Sequence, residues 1–268
     1  MHPFDTATLL EPLPDGNFRG HTTPAYANMV GPFGGVTAAC LLQAPMQHPQ
    51  RLGDPIALTV NFAAALADGE FSVVARALRT NRSTQHWAIE LSQGGEVAAS
   101  ATAVFALRRE TWSAPEAAPP ANLPAADALT RAPLTGRPAW TRHYDMRFAR
   151  GGMPEAFDEQ QQPDSISQVW LRDEPPRRLD FVSLASLCDS FFPRIFVRRR
   201  KLAPIGTVSL TTYFHADAAL LQAQGDRHVL GVARALNFRN GYFDQTAEVW
   251  SDDAQLLASS HQIVYYRD

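Results

Sequence analysis

Apolar residues recur at helical spacing in two stretches of the chain. Val36 to Met46 forms the first, and Phe181, Leu184, Ala185, Cys188 and Phe192 form the second. Each is followed by runs rich in Val, Thr, Phe and Tyr that are separated by short polar turns, as antiparallel strands are. The pattern predicts a helix followed by a meander, twice over. That is an α+β arrangement, with each helix lying on one face of an antiparallel sheet.

The two halves also match in sequence. LTVNF at 58–62 answers LTTYF at 210–214, and VARAL at 74–78 recurs at 232–236. Glu90 and Glu248 each lie fifteen residues beyond the first Ala of ARAL. After turn residues, EVAASATAVFALR in the first half matches QLLASSHQIVYYR in the second, one extra turn residue restoring the register. Matched segments in one order at nearly constant spacing predict two tandem copies, spanning 36–110 and 181–268. Between them lies SAPEAAPPANLPAADALTRAPLTGRPAW, residues 113–140, whose Pro and Ala content predicts a linker. The expected organisation is an N-terminal domain over 1–112, the linker over 113–140 and a C-terminal domain over 141–268.

Composition narrows the function. The 268 residues suffice for a sizeable core, and 24 Lys+Arg against 27 Asp+Glu leave a net charge of −3. That balance argues against nucleic acid as a partner, because neutralising several phosphates needs clustered cations. The one dense basic run, Arg198-Arg199-Arg200-Lys201, reads as a solvated turn. Cys40 and Cys188 lie among apolar residues without CxxC spacing, so neither a disulfide framework nor a zinc site is indicated and a reducing, cytoplasmic setting is expected. The start, MHPFDTATLLEPLPDG, lacks the basic and apolar regions of a signal peptide, and no run is apolar enough to span a bilayer. Nucleotide-binding GxGxxG and GxxxxGK[ST] sequences and the GxSxG elbow of serine hydrolases are missing.

Five segments carry a resemblance: GPFGGVTAACLLQA at 31–44, LDFVSLASLCDSFFP at 179–193, GTVSLTTYFHA at 206–216, GYFDQTAEVWSDD at 241–253 and LLASSHQIVYY at 256–266. Together they make the chain resemble the acyl-CoA thioesterase II family of the thioesterase-like superfamily, across nearly its whole length apart from the linker. The resemblance implies a double hotdog fold and hydrolysis of acyl-CoA to free fatty acid and CoA by direct attack of water. It implies an acyl-CoA substrate, a role in fatty acid metabolism and no cofactor, and it allows a homo-oligomer of double-hotdog chains. Carried over by position, the catalytic residues are Asp189, Thr207 and Gln262. The chain departs from the family pattern at Thr59, where His is frequent.

The residues themselves bear on these three positions. On a 3.6-residue helix Asp189 would project about 40° from Ala185 and about 60° from Phe192, at the edge of the apolar stripe. Partial burial there would raise its pKa toward that of a general base, the plain alternative being a carboxylate on a helix edge. In the first copy Val97, Ala99, Ala101, Ala103 and Phe105 share one face of the last strand, which must look into the core. Matching Ala99 to Ala258 sets Gln262 opposite Ala103 on that inward face, where a buried amide needs a partner: Asp189, a water, a substrate carbonyl or simply nearby backbone. Strict alternation turns Thr207 to the face opposite Val208 and Leu210, so it reaches the site only if the strand begins or kinks there. The first copy, with Ala103 in place of Gln, is expected to be a degenerate partner that supplies packing and part of the acyl tunnel.

Other features are less specific. Phe33-Gly34-Gly35 precedes the first helix, where free N–H groups could hold an oxyanion or a pantetheine carbonyl, or could serve turn geometry alone. His261 points away from Gln262, His215 is a strand histidine, Asp244 reads as solvated, and Asn240-Gly241 reads as a tight turn. The reading from another class is a non-catalytic acyl-CoA or acyl-carrier binding protein that retains the fold.

Overall fold

The computed structural model describes residues 1–267; Asp268, at the end of the second predicted domain and copy, lies outside the described residues. The first part of the chain forms α1 (Pro3–Ala7), β1 (Glu11–Pro12), β2 (Phe18–His21), α2 (Gly34–Gln47), β3 (Asp54–Phe62), β4 (Glu70–Thr80), β5 (Thr84–Gln93) and β6 (Glu96–Ala106). Then follow β7 (Tyr144–Arg150), β8 (Ser167–Asp173), α3 (Phe181–Leu187), α4 (Arg194–Arg199), β9 (Ile205–Phe214), α5 (Ala218–Gln224), β10 (Val229–Arg234), β11 (Phe238–Arg239), β12 (Tyr242–Trp250) and β13 (Leu256–Tyr266).

All the strands join one sheet in the order β1-β2-β4-β5-β6-β3-β9-β13-β12-β10-β8-β7, with β11 paired to β12. Read outward from its centre, β3-β6-β5-β4-β2 is mirrored by β9-β13-β12-β10-β8. The duplication predicted from sequence is thus the organising symmetry of the fold, and each copy gains two strands ahead of its helix, β1 and β2 or β7 and β8.

The symmetry axis passes between β3 and β9. There the matched residues Thr59 and Thr211 lie directly opposite each other, with their hydroxyl oxygens 3.1 Å apart. A Thr at position 59, where the resemblance would often have His, therefore meets its own counterpart across the seam rather than a ligand. The halves are further joined by the packing of α2 against α3.

Alternation sorts each strand onto the core as expected, with Ala99, Ala101, Ala103 and Phe105 buried along β6. Val97 does not join them. The β5–β6 register slips between Leu91 and Ser92, so both Ala98 and Ala99 turn inward while Val97 is exposed. The β12–β13 pair slips at the matching place, burying both Leu257 and Ala258. A β-bulge flips the facing of every residue beyond it, and the two copies share this one.

Asn240 and Gly241 both have positive φ and close the β11–β12 hairpin, as the two central positions of a tight turn require. The stretch 107–125 carries no helix or strand, whereas residues 126–143 run along the outer strands of the second half: Ala132 N–H donates to Met146 O and Trp140 stacks on Phe33 at 4.1 Å. The basic run 198–201 is not a solvated turn. It ends α4 and is partly buried, with Arg200 paired to Asp158 at 3.3 Å.

Because the halves are held by the β3–β9 ladder and the α2–α3 contact, their docking is expected to survive loss of the covalent link. Cleavage by trypsin after exposed Arg109 is expected to leave both fragments co-eluting at the mass of the intact chain in size-exclusion chromatography. Separation of the fragments would show that the seam is not self-sufficient.

Candidate active site

The site is built where the two helices meet. Helix α3 starts at a capping box, in which the Asp180 carboxylate accepts from Ser183 N–H while Ser183 Oγ accepts from Asp180 N–H. It ends at Leu187, earlier than the apolar spacing predicts. Asp189 N–H donates to Ser186 O and Ser190 N–H to Leu187 O, a three-residue tightening of the last turn, and Pro193 cannot continue a helix. Asp189 therefore sits in the turn beyond the helix, not on its flank as the periodicity implies.

From that turn its carboxylate reaches into the other half. Phe33, the residue at the N-terminal cap of α2, makes no side-chain cap; the Asp189 carboxylate approaches the start of the helix instead, close against Gly34, where the Gly35 N–H helps hold its pKa down. The Asp189 carboxylate thus caps the helix of the opposite copy and faces the positive end of its dipole. Two glycines permit the approach. A Cβ on Gly34 would stand 2.7 Å from Asp189 Oδ2, and one on Gly35 would stand 2.6 Å from Ser186 O and closer still to the Phe33 ring.

Gln262 supplies the second partner. It lies on the inward face of β13, buried, opposite Leu210. Its Nε2 donates to Asp189 Oδ1 at 2.8 Å and to Cys188 O at 3.4 Å. Burial drives the Asp189 pKa up to about 7, against the opposing effects of the Gln262 and Gly35 hydrogen bonds.

Thr207 reaches the same face through a bulge. Ile263 pairs with Ser209, but Val264 pairs with Thr207, leaving Val208 out of the register. Val208 is exposed and Val264 buried; since paired residues share a face, Thr207 turns inward beside Gln262 and Val264. Among the described residues it makes no hydrogen bond to Asp189 or Gln262. The structure so brings Asp189 and Gln262 into direct contact and sets Thr207 on their face of the sheet.

The remaining candidates lie elsewhere. His215 bonds Ser259 and His261 pairs with Asp244. Asp244 accepts from Leu236 and Asn237 N–H, stabilising its own loop. Both cysteines are buried and free, with burial pushing each thiol up to about 12. In the first copy the inward slots matching Gln245 and Gln262 hold Trp87 and Ala103, which pair with each other.

Two further carboxylates are buried, Asp145 on β7, which pairs with Arg147 and His228, and Asp173. Asp173, on β8, is 3% exposed, its Oδ1 has no partner, and burial pushes its pKa up to about 7 despite nearby Arg177. Its position on β8 gives no sign of burial, because β8 lies outside the two repeated segments.

A helix resting on an antiparallel sheet, duplicated and joined edge to edge through β3 and β9, is a double hotdog. The chain belongs to the acyl-CoA thioesterase family: residues 23–106 match the acyl-CoA thioesterase N-terminal domain and residues 115–266 the C-terminal domain. A hot dog fold protein of unknown function from Alicyclobacillus acidocaldarius is 48% identical, covering 100% of this chain and 99% of its own with a TM-score of 0.94. The fold is shared at lower identity by the tesB protein of Mycobacterium avium subs. paratuberculosis, 15% identical with a TM-score of 0.80 over 99% of this chain and 98% of that one. An acyl-CoA thioesterase II, TesB2, from Mycobacterium marinum is 18% identical, with a TM-score of 0.77 over 98% of both chains. No curated protein sequence matches. Among the described residues no helix is long and apolar enough to cross a membrane.

Two outcomes are expected. Gly34→Ala would place a Cβ 2.7 Å from Asp189 Oδ2 and push the carboxylate off the start of α2, so the variant should melt lower than wild type and lose whatever activity depends on that carboxylate. For Asp173 the folded protein binds the proton more tightly than the unfolded chain, about 7 against the ordinary 3.8. Its contribution to stability is present below about pH 4 and lost as pH rises through about 7. The melting temperature of Asp173→Asn relative to wild type should therefore rise by about 2–4 °C or more between pH 5 and pH 8. A constant difference across that range, measured by calorimetry, would contradict the assigned burial.

Proposed function

We propose that the chain hydrolyses acyl-CoA thioesters to free carboxylic acid and CoA, with water as the nucleophile. The observation that carries this reading is the partly buried Asp189 carboxylate, with a pKa near 7, bonded to an amide on the sheet. Family membership supports the thioester chemistry, and no serine or cysteine nucleophile with a base is needed for direct attack by water.

In the proposed step Asp189 accepts a proton as the water oxygen bonds to the thioester carbon. A carboxylate at pKa near 7 is matched to that task at neutral pH. Gln262 has committed its N–H to Asp189, which leaves its Oε1 as an acceptor for the other proton of the same water. Thr207 adds a hydroxyl on the same face. Collapse of the tetrahedral intermediate breaks the carbon–sulfur bond, and the proton held by Asp189 goes to the departing CoA sulfur. Positioning a single water is the main demand, and three side chains on rigid elements meet it.

Thiol release from saturating acyl-CoA should rise with pH through about 7 and then level off, because only the carboxylate form accepts the proton. Asp189→Asn should lower turnover by about 10²- to 10⁴-fold. It should melt close to wild type, since relief of a buried charge is offset by an amide NH₂ facing the Gln262 or Gly35 donor. Gln262→Leu removes a hydrogen bond that holds the Asp189 pKa down, so its residual activity should show the same limb displaced to higher pH. Tight binding of acyl-CoA without thiol release, over short, medium and long chains, would replace the hydrolase with a binding protein.

A further inference from the structure

The site has an accounting gap. Attack on a thioester places negative charge on the carbonyl oxygen, and hydrogen-bond donors must meet it. Gln262 cannot, because its Nε2 already donates to Asp189 and Cys188. The Gly35 N–H faces the Asp189 carboxylate, which lies close against the start of α2.

One donor stands beside them. Gln245, on β12, lies directly opposite Gln262 on the inward face and is 2% exposed, and directly paired residues hold their Cβ atoms about 5 Å apart. Its Oε1 accepts from Arg194 Nε at 2.8 Å. A guanidinium only donates, so this bond fixes which end of the amide faces it and leaves Nε2 turned away. Among the described residues the Gln245 side chain makes one hydrogen bond, the one its Oε1 accepts from Arg194.

Arg194 is itself unusual. It is fully buried, and besides Gln245 it donates to Ser165 O, Ser167 Oγ and Phe192 O, with no carboxylate among its partners. A buried cation bonded to an amide oxygen draws electron density from the amide and makes the opposite N–H a stronger donor. The internal repeat supplies an independent comparison. In the first copy the paired inward slots hold Trp87 and Ala103, whereas in the second they hold Gln245 and Gln262. The two positions differ between the copies as a pair.

We propose that Gln245 is a catalytic residue of this site, donating its Nε2–H to the carbonyl oxygen of a bound thioester as charge develops there, and that Arg194 is the positioning residue that orients it. Water's oxygen bonds to the carbonyl carbon, the carbonyl π electrons move onto the oxygen held by Gln245, and they return when the CoA sulfur leaves. The proposal rests on the hydrolase reading.

The decisive variant is Gln245→Glu, which keeps a partner for Arg194 but has no N–H to donate. It should fold, and melt no lower than wild type, while kcat falls about 10²- to 10³-fold with KM within about threefold. Gln245→Met/Arg194→Met removes the cation and the amide together and should show the same kcat loss without an added charge. In parallel, calorimetry would compare an S-(2-oxoalkyl)-CoA thioether, which presents a carbonyl, with the S-alkyl-CoA that lacks it. Both variants should lose affinity for the first and retain affinity for the second.

Wild-type kcat in both variants, or equal loss of affinity for the two thioethers, would overturn the role given to Gln245 and leave the hydrolase reading intact. If wild type binds both thioethers but releases no thiol from acyl-CoA, the hydrolase reading falls while the thioether comparison still decides the Gln245 contact. Failure to bind either thioether would overturn both.

Discussion

A carboxylate held between two helices in a low-dielectric interior is the constraint around which this molecule is arranged. Burying an unpaired charge is prohibitive, so Asp189 needs donors that do not move. It finds them in the Gly35 N–H of the opposite copy and in the Gln262 amide of its own. The carboxylate in turn supplies the cap that α2 lacks. Helix, turn and strand thereby hold one another, and neither copy alone could assemble the set.

The duplication makes that geometry available. Joining the copies at β3 and β9, with Thr59 facing Thr211 across the axis, brings α2 and α3 together over the centre of one continuous sheet. Two equivalent sites would be possible by symmetry. Only one carries polar chemistry, because Trp87 and Ala103 fill the inward slots of the first half that Gln245 and Gln262 occupy in the second. The first half contributes the N-terminus of α2, against which the Asp189 carboxylate lies.

Much of this was legible in the sequence. Alternation along the last strand turned Gln262 inward, since a period-two pattern states which face a residue takes. The same alternation turns Gln245 inward, with Phe243, Ala247 and Val249, all buried. Thr207 could not be placed this way, because its facing depends on a bulge at Val208 that no local pattern announces. Val97 was misplaced for the same reason, by the slip beside Ala98.

The chain by itself therefore determined the repeat, the helix-then-meander order of each copy, the Asn240-Gly241 turn and the inward facing of Gln262, all of which follow from spacing and short-range stereochemistry. Only the tertiary structure decided that α3 stops short of Asp189, that bulges redirect Thr207 and Val97, and that Asp173 and Arg194 are buried. It alone showed that the Asp189 carboxylate is answered by Gly35, some 150 residues away. The physical reason is that hydrogen-bond partners and desolvation belong to pairs of groups. Their energies exist only once distant segments have been brought within a few ångströms.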